Sequence, residues 1–370
     1  MRAAKSFLIA STILAVSTIA ARADVQVVAS IKPVHSLVAA VMKGVGEPGL
    51  IVEGAASPHS FSLRPSQAAM LEEADVVFWI GHELEAFLEK PLEALAGDSK
   101  AVELIDAHDL TKLGLREGGT FDAHDHSEHE AHEDHDHADH DDHAHDKDDD
   151  HAHDKHDEQA EEHDDHDHAK ADDNHAHDEH DGHDKAEAEH HDDHGHGEFN
   201  VHVWVDPVNA KALVHEIEET LSGADPDNAA KYMANAADVM ARLDSLTANI
   251  KADLETVKGK PFVVFHDAYQ NFEDRFGLTA VGSITVSPEV QPGAERVAEL
   301  RAKISELGAT CVFSEPQFEP KIVQTITEGT SAKSGVIDPL GASLQDGPDL
   351  YFELIRNMAT SFKTCLSEAS

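Results

Sequence analysis

Histidine is the chemistry-bearing residue of this chain, and 23 of its 30 histidines lie between Asp122 and Glu198. That stretch of 77 residues holds no apolar side chain larger than alanine. It carries 33 acidic residues against four lysines, and so supplies −29 of the formal net charge of −45. Such a composition cannot bury enough apolar surface to offset the entropy of ordering, and the stretch is expected to be disordered. Its chemistry is nonetheless specific. Neutral imidazole suits zinc, copper and nickel, and His135/His137, His143/His145, His151/His153, His166/His168, His175/His177 and His194/His196 offer many loose nitrogen pairs. A solvated acidic spacer is built from Glu, Ser, Pro and Lys and has no need of histidine, so the stretch is expected to hold metal ions.

Outside it, His59, His202, His266 and Asp338 stand out by position. Each is expected just past the carboxyl end of a strand or in the loop that strand feeds, where ligands of open α/β sheets gather. Three imidazoles and one carboxylate would make a closed tetrahedral site for zinc, with Asp338 lowering the net charge of the complex. Spacing alone does not bring the four together, and a loop histidine taken singly is more often a surface hydrogen-bonder. His35, His82 and Glu315 are expected to be structural or to support the ligands, and His108 and His215 to lie at the surface. Gly44-x-Gly46-x-x-Gly49 fits the dinucleotide fingerprint by letter, but it follows a helix and precedes a strand, the reverse of what that motif needs. Neither H-E-x-x-H nor G-x-S-x-G occurs, so no enzyme is expected. A pure metal-storage protein would explain the tract but not the well-patterned remainder.

The elements that must position these residues follow from the rest of the chain. Arg2 and Lys5 precede an apolar run from Phe7 to Ala20, and Ala21-Arg22-Ala23 has the small-x-small form of a signal-peptidase site. Residues 1–23 are expected to be a signal peptide cleaved near Ala23, which points to export into a periplasm without membrane insertion; no later segment approaches the roughly 20 apolar residues of a membrane span. In that oxidising compartment Cys311 and Cys365 are invited to pair. The closed loop would stabilise by roughly 4 kcal/mol on the chain-entropy estimate.

Removing signal and tract leaves about 270 residues, enough for two ordinary domains. Strand patterns at 25–31, 49–52, 74–80, 201–205, 262–265, 280–284, 311–313 and 335–337 alternate with helix patterns. That alternation argues for parallel sheets covered by helices, an α/β fold of two lobes. Residues 24–121 with 199–226 are expected to form the N-terminal lobe, 227–257 a linking helix and 258–370 the C-terminal lobe. The linking helix has neither Gly nor Pro before Val257. Its apolar stripe is read as Met233, Ala236, Met240, Leu243, Thr247, Ile250, Leu254 and Val257.

Six segments occur in this order: Ala29–Val38 (ASIKPVHSLV), Gly54–Ser66 (GAASPHSFSLRPS), His202–Pro207 (HVWVDP), Phe265–Tyr269 (FHDAY), Glu315–Phe318 (EPQF) and Asp338–Gly341 (DPLG). Together they resemble the metal-binding receptors of ABC importers for zinc and manganese, and most of all the periplasmic zinc receptors that carry a His- and acid-rich insertion. The resemblance implies two α/β lobes joined by one long helix, with the metal between them. It places ligands at His59, His202 and His266. Manganese receptors tend to have a carboxylate at the third position, so His266 implies Zn2+ over manganese. Many relatives use the aspartate that Asp338 matches as fourth ligand; others have a glutamate just before the first histidine, where this chain has Pro58, which leaves Asp338 or a water. The cysteine pair matches a disulfide of zinc members. The implied partners are the permease subunits of a zinc importer, with no nucleic acid, and a monomer is expected. The linking helix should restrict metal-dependent change to loop ordering or a small tilt. Zinc should leave as pH falls toward 5, because the imidazoles must be neutral to bind.

Overall fold

Strands read as unbroken runs of Val, Ile and Phe where a parallel sheet is covered on both faces, since no side of such a strand meets water. The computed structural model describes residues 25–95, 99–116, 121, 199–285, 292–318 and 321–367. In it β1 (Val27–Ile31), β2 (Gly49–Val52), β3 (Val76–Trp79) and β4 (Lys100–Glu103) form one parallel sheet in the order β2-β1-β3-β4. A second sheet, β5 (Phe262–Val264), β6 (Ala280–Ser283), β7 (Cys311–Ser314) and β8 (Lys333–Val336), repeats the same winding as β6-β5-β7-β8. The fold is α/β with two parallel sheets, as the alternation of patterns requires. The expected signal peptide and the His/acid-rich insertion lie outside the described residues.

Helices cover the sheets: α1 (Lys32–Val41), α2 (Pro65–Glu72) and α3 (Ala86–Leu95) with the first, and α6 (Gln270–Phe276), α7 (Ala294–Leu307) and α8 (Lys321–Thr327) with the second. Between them run α4 (Pro207–Ala224) and α5 (Ala229–Leu254), and α9 (Leu350–Ser367) closes the chain. Proline opens α2 and α4, where its missing N–H costs nothing, and the Asp206 carboxylate caps α4 by accepting from the Val208 amide at 2.8 Å.

Alternation along the second sheet divides its residues between two cores. Phe262, Val264, Cys311 and Phe313 face a large cluster that continues through α5 and α9 to the first sheet. Val263 and Val312 face a smaller one with Ile304, Val323 and Ile326. Cys311 and Cys365 are bonded, with their Cα atoms 6.1 Å apart, and fasten β7 to α9.

Three details depart from the sequence expectations. Residues 201–205 are not extended: they make a turn of 3-10 helix at Val203–Val205, because the run is buried against helices without joining a sheet edge. The helix expected over 227–257 spans Ala229–Leu254, with a 3-10 turn at Glu255–Val257. Its 26 residues give about 39 Å. Its buried stripe is Tyr232, Ala236, Val239, Leu243, Leu246, Ile250 and Leu254, whereas Met233 is 60 % exposed.

Candidate metal centre

The first histidine is delivered by the loop after β2. Gly54, at φ 67°, turns that loop, and Pro58 starts the single 3-10 turn that carries half-buried His59. His202 is buried directly before the 3-10 turn that leads into α4, and His266 is buried two residues beyond β5. One ring nitrogen from each of the three residues lies within 4.8 Å of the other two. His59 Nε2 is 3.3 Å from His202 Nε2, which is also 3.3 Å from His266 Nε2. Zinc holds imidazole nitrogens at about 2.0–2.1 Å, so two of them at a tetrahedral angle lie about 3.3–3.4 Å apart. The observed spacing is what that ion needs.

The opposite ring nitrogens are already committed. His202 Nδ1 lies 2.9 Å from Asn200 Oδ1, and His266 Nδ1 lies 2.7 Å from Glu315 Oε1. An amide carbonyl or carboxylate oxygen can only accept, so Nδ1 carries the proton in both rings and each Nε2 turns a lone pair toward the shared point. Burial, then the neighbouring His266 and His59, hold the His202 imidazole well below its ordinary pKa of 6.5. It is therefore neutral and competent to ligate at neutral pH. Around the triad Ser57, Pro58, Trp204, Glu315, Phe318 and Leu340 line a partly open pocket with about 10 Å³ of free volume. That is room for one water-sized sphere and far too little for an organic ligand, which needs several hundred Å³.

Asp338 is not in this group. Its Oδ1 accepts from the Leu340 and Gly341 amides at 3.0 and 2.9 Å and from Gln317 Nε2 at 2.8 Å, and its Oδ2 accepts from the Ala342 amide at 2.6 Å. The carboxylate caps a turn, and it is that turn's Pro339 and Leu340 that reach the cavity wall. His35 is buried with Nε2 3.0 Å from the Pro48 carbonyl, and His82 lies beside Glu83 and Glu103; neither joins the triad. His108 and His215 are exposed. Asn200 was not singled out from the sequence. Nothing in its spacing announces it, although it precedes His202 by only two residues.

Residues 27–365 match the family described as zinc-uptake complex component A, periplasmic. The chain belongs to that family. The high-affinity zinc uptake system protein ZnuA of Brucella suis biovar 1 is 54 % identical over 342 residues, covering 92 % of each chain. The protein of the same name from Yersinia pestis is 33 % identical over 344 residues, covering 93 % of this chain and 92 % of that one. Among solved structures, a crystal structure of ZnuA superposes with a TM-score of 0.62 at 20 % identity over 91 % of this chain and 99 % of that one. The periplasmic zinc binding protein TroA from Treponema pallidum does so with a TM-score of 0.66 at 15 % identity, covering 93 % and 99 %. At those identities the superpositions speak to the fold alone. Membership of the family rests on the family match and the Brucella and Yersinia relatives.

Proposed function

We propose that this chain is a periplasmic receptor that captures Zn2+ between His59, His202 and His266 and hands it to the permease of an ABC importer. The observation that carries the reading is the convergence of three Nε2 nitrogens, two of the gaps being 3.3 Å, in a pocket with room for one small ion. All-imidazole donors with no carboxylate among them suit a borderline cation such as zinc better than hard manganese. The names of the Brucella and Yersinia relatives, high-affinity zinc uptake system protein, support the same cargo. A receptor does no chemistry on its ligand, and no residue here is assigned a catalytic task. The His-rich insertion is assigned additional, weaker zinc sites, since each must order chain as it binds.

We assign the fourth place to a solvent oxygen, because Asp338 lies outside the group of converging ring nitrogens and its carboxylate is engaged by the turn it caps. Zinc titration of His59→Ala, His202→Ala, His266→Ala and Asp338→Asn in a chain lacking residues 122–198 is the test. Each alanine is expected to abolish the single tight site, and the asparagine, which can still cap the turn, to keep it within a fewfold of wild type. Retention of tight zinc by any of the three alanine variants would move the site elsewhere.

A further inference from the structure

The His/acid-rich insertion leaves the chain after Phe121 and returns to it at Phe199, and the segments on either side, at residues 113–116 and 199–200, are fastened beside the metal centre. Gly114 and Phe199 form an isolated antiparallel bridge, and the Asn200 amide donates to the Leu113 carbonyl at 2.8 Å. From the first of these paired ends Arg116 crosses to the loop and helix after β5. Its Nε donates to Asp267 Oδ2 at 3.0 Å and its two terminal nitrogens donate to Glu273 at 2.8 and 3.0 Å; one of them also bonds Asp267 Oδ1. The ring of Phe121 lies 4.2 Å from the guanidinium carbon. Asp267 is the residue after His266. From the second end Asn200 holds His202 Nδ1 with its Oδ1 and donates its Nδ2 to the Asp267 carbonyl at 2.7 Å. Asp267 is thus gripped twice, by its side chain and by its carbonyl, and both grips come from the short ladder that also orients His202.

We propose that Arg116 is a positioning residue for metal capture: with Asn200 it sets the separation of His266 from His202 and so governs how fast the ion leaves. The inference rests on the zinc-site reading. A planar guanidinium that engages two carboxylates side by side fixes direction as well as distance, which an ammonium cannot do. Coordination geometry held to within a fraction of an ångström is what a pre-formed site requires, and residues behind the ligands change metal affinity by about 10–100-fold. Arg275, whose two-pronged pair with Asp206 at 2.9 and 2.8 Å involves none of the three histidines of the site, is the matched control.

The experiment loads full-length wild type, Arg116→Gln, Arg116→Lys and Arg275→Gln with half an equivalent of Zn2+, so that the tightest site fills first, and follows release to a chromogenic chelator. Thermal unfolding of each is measured alongside. Arg116→Gln is expected to release zinc about tenfold faster or more, Arg116→Lys to recover only part of that, and Arg275→Gln to lose stability without changing the release rate. Cobalt absorption, which reports ligand geometry, should shift in the Arg116 variants alone. Wild-type release from Arg116→Gln, or from Arg116→Lys should the glutamine variant not fold, would reduce Arg116 to an ordinary structural ion pair. Equal release from wild type and His202→Ala would instead overturn the site reading, and the proposal with it.

Discussion

Glu315 shows how much of the proposed metal site resides behind its ligands. It is buried, its Oε1 accepts a hydrogen bond from His266 Nδ1 at 2.7 Å, and with Asp338 it stands close enough to Tyr269 to help burial push that phenol well above its ordinary pKa. Among the three imidazoles His202 is oriented by a neutral amide and His266 by a carboxylate, so Glu315 brings negative charge toward a dication without occupying a coordination place. Glu315→Gln can keep the hydrogen bond through its amide oxygen but loses that charge. Zinc affinity measured by competition with a chelator is expected to fall about 10–100-fold with unfolding temperature little changed. An unaltered affinity would show that orientation alone suffices.

At the scale of elements, packing at the edges of the sheets decides what could be foreseen. The central strands of both sheets were legible because strands buried on both faces read as continuous apolar runs. β4, with the sequence KAVE, was not, since an edge strand with two exposed positions has no such run. The stripe of α5 was misphased because Met233 and Met240 fit a three-four spacing as well as Tyr232 and Val239 do, and only tertiary packing separates the two. The triad was legible only through the family resemblance: His59, His202 and His266 meet across sequence distances that no local pattern records, and Asp338, placed rightly after a strand, turns out to cap a turn. Gly335 illustrates an edge constraint. It pairs with Phe313 across β7 and β8, and a Cβ there would lie 2.6 Å from the ring, which is itself boxed in by Phe262 and Phe362 at centroid distances of 5.8 and 4.9 Å. Gly335→Ala is expected to cost about 1–3 kcal/mol of overpacking. In urea the unfolding midpoint should drop with an unchanged slope, and an unshifted midpoint would mean that β8 yields freely.

For the molecule as a whole, side-chain ties join early and late parts of the chain around the proposed site, and buried titratable groups set the response to pH. Buried Lys32 at the start of α1 donates to the Leu344 carbonyl at 2.8 Å and pairs with Asp346 at 3.1 Å. Trp204 Nε1 donates to the Pro339 carbonyl at 2.8 Å, and the Tyr351 hydroxyl to the Trp204 carbonyl at 2.7 Å. So many anchors around the triad favour a site completed by loop adjustment over one closed by a hinge swing. The same half of the fold holds a buried carboxyl that titrates against stability. Glu85 bonds Ser30 at the end of β1 and accepts the Ile80 and Gly81 amides at 2.9 and 3.0 Å beyond β3, and burial pushes its pKa from 4.5 up to about 7 against those hydrogen bonds. A raised folded-state pKa means that the native chain keeps this proton when the unfolded chain has lost it. Its contribution is therefore complete below about pH 4.5 and disappears as pH climbs through about 7. His202 runs the other way: its pKa is lowered from 6.5, so the native chain refuses a proton the unfolded chain accepts, and stability is lost as pH falls below about 6.5. Glu85→Gln removes the first slope and leaves the second, while its amide can still meet the same backbone donors. Comparing metal-free wild type and Glu85→Gln by urea unfolding at several pH values, the difference should move against wild type by on the order of 3 kcal/mol between pH 4.5 and 8. Parallel stability curves across that range would mean that the carboxyl titrates as it does in the unfolded chain and places no pH limit on the fold.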